Sequence, residues 1–242
     1  MAIRKQQTVT FSTRVRMDVR ARYLLYLPEG YGELRQMWPL VLFLHGAGER
    51  GSDVNAVRRH GPPKLVDQGK EFPFILVSPQ CPEDESWSVP VVRALLDEVQ
   101  DRYAVDSSRV YLTGLSMGGN GTWRLGTMCP ERFAALAPVC GWGDPDRVCV
   151  LKDVPVWVFH GRKDRVVPFR KSEEMVKALR ACGGNVRFTA YPDAAHDSWT
   201  ETYSNPAFFK WLLDQRLSPS HSGRDGVSGK RRKPHKAARA PQ

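Results

Sequence analysis

An α/β fold, with one sheet of about eight mostly parallel strands flanked by helices, is what this sequence predicts. Three observations predict it. Short apolar runs alternate with amphipathic helical stretches, the pattern of successive βαβ units. The run Leu40–Leu44 is apolar at every position, as in a strand covered on both faces. The pentapeptide Gly114-Leu-Ser116-Met-Gly118 follows the run Val110–Thr113 and precedes a helix-compatible stretch, Gly119 to Cys129, which makes a strand–turn–helix junction.

In chain order, Thr8 to Val15 and Tyr23 to Leu27 read as two opening strands, antiparallel, with a Pro28-Glu-Gly turn closing the second. Leu40–Leu44 and Phe74–Ser78 are the next strands. From Val91 to Tyr103, apolar residues at 91, 92, 95, 96 and 99 mark one face of a helix, with acids on the other. Val110–Thr113 leads into the Ser116 turn. Phe133–Val139 and Val154–Phe159 are further strands. Ser172 to Cys182 is an amphipathic helix stopped by Gly183-Gly184, and Val186–Tyr191 is the last strand. Asn205 to Leu217 closes the domain, with Pro206 suited to the first helical position after its cap. Only about fifteen residues separate the strands ending near Val139 and beginning near Val154. That spacing leaves no room for a helical lid, so the site should be open and shallow.

The chain of 242 residues, 41% hydrophobic, suits one large domain with a sizeable core. No apolar run approaches the roughly 20 residues that a membrane helix needs. The start carries basic residues and no apolar stretch of the secretory kind, so a cytoplasmic location is expected. The formal charge of +10 is uneven. Residues 218–242 hold seven Lys/Arg against one Asp, are nearly devoid of apolar side chains, and are expected to be a disordered basic tail after a domain spanning 1–217. Lys230-Arg-Arg-Lys233 could touch nucleic acid or an acidic surface; a purely solubilising role is the other reading, since no aromatic residues interleave. Five cysteines, 81, 129, 140, 149 and 182, lack metal-type spacing, and whether two of them pair stays open.

The chemistry centres on Ser116. Glycines on either side permit the tight turn that lifts a serine above a sheet and aims a helix N-terminus at it. A serine hydroxyl needs an adjacent base. At such a turn the partners follow in the order serine, acid, histidine. Of the histidines after Ser116, His196 leaves room for an acid in between; His160 reads as a capping or core-edge residue beside the acid's loop. Asp164, at the carboxyl end of the strand before the last, is the acid, with Asp144 and Asp146 as alternates; Asp193 and Asp197 read as turn caps. The oxyanion donors are expected to be the backbone N–H groups of Met117 and of Ala47, in His45-Gly-Ala-Gly48. Trp87, Trp142 and Trp199 are candidate substrate-lining residues; Trp123, Trp157 and Trp211 read as core. Glu49 and Arg50 could meet a polar substrate group or pair with each other. No metal or cofactor is expected, since there is no H-E-x-x-H, no paired Cys/His spacing and no phosphate loop.

The strings Leu42–Gly51, Thr113–Gly119, Gly161–Pro168 and His196–Trp199 together resemble those of α/β-hydrolase serine esterases, in the group of polyhydroxybutyrate depolymerases, feruloyl esterases and phospholipase/carboxylesterase or dienelactone-hydrolase-like proteins. The resemblance spans most of residues 8–217. It implies the α/β-hydrolase fold, a nucleophile at Ser116, an acid at Asp164, a base at His196 and oxyanion donors at Ala47 and Met117. The expected activity is hydrolysis of a small-molecule ester through an acyl-enzyme. Peptidase or acyltransferase chemistry on the same scaffold, and a non-catalytic binding role, are the competing readings.

Overall fold

The computed structural model describes residues 10, 12–13, 16–33 and 36–217. The elements run β1 (Tyr23–Tyr26), β2 (Trp38–Leu44), α1 (Gly61–Asp67), β3 (Ile75–Pro79), α2 (Val89–Arg102), β4 (Val105–Leu115), α3 (Met117–Met128), β5 (Ala135–Val139), β6 (Val156–Gly161), α4 (Arg170–Ala181), β7 (Val186–Tyr191), α5 (Trp199–Ser204) and α6 (Pro206–Asp214). The seven strands form one sheet in the order β1-β3-β2-β4-β5-β6-β7, antiparallel only between β1 and β3. The strand expected over 8–15, and the tail over 218–242, lie largely or wholly outside the described residues. The Pro28 turn forms as expected, with Tyr31 N–H donating to the Pro28 carbonyl at 3.0 Å.

Successive residues of one strand enter opposite halves of the core, which is why the central strands read as unbroken apolar runs. Leu40, Leu42, Leu44, Val110 and Leu112 face α2, α3 and α4, where Leu96, Val99, Trp123, Met175 and Leu179 are buried. Val41, Phe43 and Tyr111 face the other way, onto Tyr203, Phe208 and Leu212 of α5 and α6. Each large side chain fully buried this way contributes about 1.5–3 kcal/mol of transfer free energy. Helix α2 buries Val92, Leu95, Leu96 and Val99, the i, i+3, i+4, i+7 spacing of a single stripe. Helix α6 starts as its sequence indicates: the Asn205 side chain accepts the Ala207 N–H and Pro206 occupies the first turn.

Between β5 and β6 the chain makes a 3-10 helix, Pro145–Leu151. Its Val148 and Leu151 are fully buried against the α2–α4 side of the core. It is therefore a piece of the wall, and no lid-sized helical insertion occurs among the described residues. Cys149 of this helix is disulfide-bonded to Cys182 at the end of α4. Cys81, Cys129 and Cys140 are free and buried.

Candidate active site

The parallel strands β4, β6 and β7 deliver Ser116, Asp164 and His196 to one edge of the sheet. Ser116 joins β4 to α3 with φ 53° and ψ −115°. A side chain at positive φ outside the usual wells costs on the order of 1–3 kcal/mol, so the surroundings must hold it there. They do: Ser116 N–H donates to Val139 O at 2.9 Å, and Ser116 O accepts Asn120 N–H at 3.0 Å. Gly114 has to be glycine, since a Cβ there would lie 2.5 Å from Gly118 O and 2.7 Å from Leu44 O.

His196 Nε2 lies 3.0 Å from Ser116 Oγ, and its Nδ1 lies 2.7 Å from Asp164 Oδ2. The Asp164 carboxylate is fully enclosed. It compensates by accepting the Val166 and Val167 N–H groups at Oδ1, at 2.8 and 2.9 Å. The acid's loop is tied to the histidine's loop by Arg162 N–H to Tyr191 O and Lys163 N–H to Ala194 O, at 2.8 and 3.0 Å. Asp144 instead caps its own 3-10 helix, and Asp146 lies in that helix's first turn, so neither alternate acid is engaged with His196. Asp197 accepts the Thr200 N–H, the cap role expected of it, whereas Asp193 makes an exposed ion pair with Lys163.

The loop after β2 is built to present backbone. His45 is fully buried; its Nδ1–H donates to Gly46 O at 2.6 Å and its Nε2 accepts Cys81 N–H at 2.9 Å. Burial pushes the ring's pKa down to about 4, so it stays neutral and keeps both bonds. Glu49 is buried and accepts Gly46 N–H at 3.0 Å. Arg50 donates to Ala47 O at 3.0 Å and Glu85 O at 3.2 Å. Neither side chain reaches out for substrate, nor do they pair with each other; both brace the loop. Ala47 is exposed, and among the described residues the N–H groups of Ala47 and Met117 have no acceptor.

Of the three tryptophans expected to line the site, Trp87 does not. It is 5% exposed, its Nε1–H donates to His45 O at 3.1 Å, and it packs beneath α3. Its role is to support the loop from below. Trp199 packs edge-on against the His196 ring at 5.2 Å. Trp142, 37% exposed, follows β5, and its carbonyl accepts from the Asn120 side chain at 2.9 Å. Trp142 and Asn120 border a groove of about 510 Å³ that runs down one face of α3 past Trp123, Arg124 and Met128, with Arg147 on its far wall.

Cys140 Sγ, Asp164 and His196 offer ligand atoms within 4.8 Å of one another. Burial pushes the Cys140 thiol up to about 12, so it stays protonated beside the pair. Among the described residues no helix is long and apolar enough to cross a membrane.

Residues 34–205 match the family model described as phospholipase/carboxylesterase. A bifunctional acetylxylan esterase/xylanase of Neocallimastix patriciarum is 28% identical over 153 residues, covering 59% of this chain and 22% of that protein. Acyl-protein thioesterase 1 of Gibberella zeae is 22% identical over 219 residues, covering 75% and 92% respectively. Among solved structures, a thermostable esterase is 37% identical with a TM-score of 0.71, covering 80% of this chain and 59% of that one. The chain thus spans less than two thirds of the first of these curated relatives and of the thermostable esterase.

Proposed function

The chain belongs to the phospholipase/carboxylesterase family, and from that premise we propose that it is a serine hydrolase of carboxylic esters. Ser116 is the nucleophile. His196 Nε2 takes the hydroxyl proton as Oγ attacks the ester carbonyl, and Asp164 holds the imidazole in the tautomer that leaves Nε2 free to accept. The tetrahedral oxyanion lies between the N–H groups of Ala47 and Met117. Collapse expels the alcohol, which takes its proton from His196, and leaves the acyl group on Oγ. Water, deprotonated by the same imidazole, then attacks the acyl-enzyme and releases the carboxylic acid. The observation that carries this reading is the pair of hydrogen bonds made by His196, 3.0 Å to the serine and 2.7 Å to the acid.

The imidazole and Trp199 sit toward the α5 and α6 side of the sheet, whereas the groove past Trp142 lies along α3, on the opposite side. The alcohol, which must receive its proton from His196, leaves on the first side, and the acyl group points to the α3 side, where the groove begins at Asn120, one helical turn beyond Ser116. The test is hydrolysis of p-nitrophenyl acetate and longer acyl esters. Ser116→Ala should lower kcat by about 10⁴-fold or more with the fold intact, and a fluorophosphonate should label the wild-type chain at Ser116 alone. Full turnover by the variant would overturn the assignment.

A further inference from the structure

We propose that His160 is a positioning residue for the active site: its imidazole fixes Asp164 Oδ2 on the line to His196 and takes a share of that oxygen's charge. The proposal rests on the esterase reading for its kinetic consequences and on geometry alone for its structural ones.

Two imidazoles converge on one carboxylate oxygen. His196 Nδ1 approaches Asp164 Oδ2 at 2.7 Å and His160 Nε2 approaches the same atom at 3.1 Å. The proton on His160 can be assigned. Its Nε2 also lies 2.9 Å from Val167 O, which can only accept, so Nε2 carries the hydrogen and shares it between the carbonyl and the carboxylate. The other nitrogen, Nδ1, lies 2.7 Å from Ser172 Oγ in the first turn of α4. His160 and Ser172 are both fully buried. Burial holds the His160 ring below its ordinary pKa, so Nδ1 is bare; the single Ser172 hydroxyl proton has two acceptors in reach, Nδ1 at 2.7 Å and the Gly141 carbonyl at 3.3 Å, and the shorter contact goes to Nδ1. The result is a continuous chain from Ser172 through His160, Asp164 and His196 to Ser116, which anchors the acid to helix α4.

An apolar ring would fill this space without the cost of burying two polar nitrogens. The imidazole provides what an apolar ring cannot, an N–H aimed at the one carboxylate oxygen that His196 uses. The backbone N–H groups of Val166 and Val167 hold only Oδ1. The charged and titratable groups around this pair are few. They are Asp164 itself, the Cys140 thiol, Asp197 beside the histidine loop, and Arg162, which stacks at 4.9 Å on Phe169, the ring that packs edge-on against His160. None of them offers a second N–H to Oδ2.

Removing the His160 donor leaves more negative charge on Oδ2 for His196 to face, which favours the imidazolium. His160→Met should therefore move the acid limb of kcat/KM, and the midpoint of the residue 196 imidazole titration followed by NMR, upward by about half a pH unit or more. His160→Gln places an amide N–H near the old Nε2 position and should restore both. Ser172→Ala, which removes only the donor to Nδ1, should give a smaller shift in the same direction. The NMR titration needs no substrate. If the wild-type protein fails to turn over esters, the esterase reading falls while the comparison among the four proteins still decides the role of His160. Coinciding titrations in all four, or a Gln variant that behaves like the Met variant, would overturn the proposal. A core-filling role predicts that activity losses track the folded fraction with no movement of either midpoint.

Discussion

A methyl group on Gly118 would lie 1.9 Å from the carbonyl oxygen of Leu44. That single approach locks the first turn of α3 against the end of β2, and so sets the Ser116 turn beside the loop that carries Ala47. Neither backbone can yield, because each is hydrogen-bonded in its own element. Gly118→Ala should cost about 3 kcal/mol or more, through strain at a site that cannot collapse. Gly48→Ala, with nothing within 4 Å of the added carbon, should leave thermal stability within about 0.5 kcal/mol of wild type. Equal midpoints for the two variants in thermal unfolding would contradict this account of the turn.

The Ala47 N–H can be deleted without disturbing its neighbours. Gly46 sits at φ −80° and ψ −178°, the extended conformation that a residue before proline prefers, and Ala47 opens a 3-10 helix, where a fixed φ is tolerated. Ala47→Pro should fold, bind substrate with little change in KM, and lose about 10²–10³-fold in kcat. An unchanged kcat in steady-state assays would remove Ala47 from the oxyanion role.

That Ser116, Asp164 and His196 would meet was legible in the sequence, because the proposed chemistry restricts residue type, order and flanking glycines at once. The central strands were legible because burial on both faces leaves an unbroken apolar run, as in Leu40–Leu44. Less legible were α1, α5 and the 3-10 helix Pro145–Leu151, whose six or seven residues span too few turns to establish a period. Trp87 illustrates a further limit. A tryptophan expected beside a loop can lie above or below it, and only the packing of α3 places this one below. Glu49 and Arg50 turn back onto their own loop, a choice made by backbone geometry that composition does not carry. The sequence left the pairing of Cys149 with Cys182 open, because it depends on the end of α4 docking beside a 3-10 helix that periodicity does not reveal.

That pairing carries its own prediction. The bond joins residues 33 apart, and closing a loop of that size removes denatured-state entropy worth about 3–4 kcal/mol in the chain-entropy account. Cys149→Ser, or a reductant under conditions that leave the other thiols unmodified, should lower the unfolding midpoint markedly. A thermal midpoint indifferent to both would mean that the link adds nothing to stability.

Acid should destabilise the fold through His45 before the carboxylates are protonated. The buried ring titrates at about 4, against an ordinary value of 6.5, because desolvation disfavours its charged form. Between those two pH values the unfolded chain binds a proton that the folded chain refuses. The stabilising contribution is therefore complete above about 6.5 and is lost progressively as pH falls toward 4. A displacement of this size corresponds to about 3 kcal/mol, an order-of-magnitude figure. His160, also held below its ordinary value by burial, acts in the same direction. Denaturant unfolding at pH 7, 5.5 and 4 should show stability falling across the series. The fall should be shallower in His45→Gln, which cannot take up a proton in either state. Identical pH slopes for wild type and variant would show that the acid sensitivity comes from elsewhere, and that the loop after β2 does not depend on a neutral imidazole beneath it.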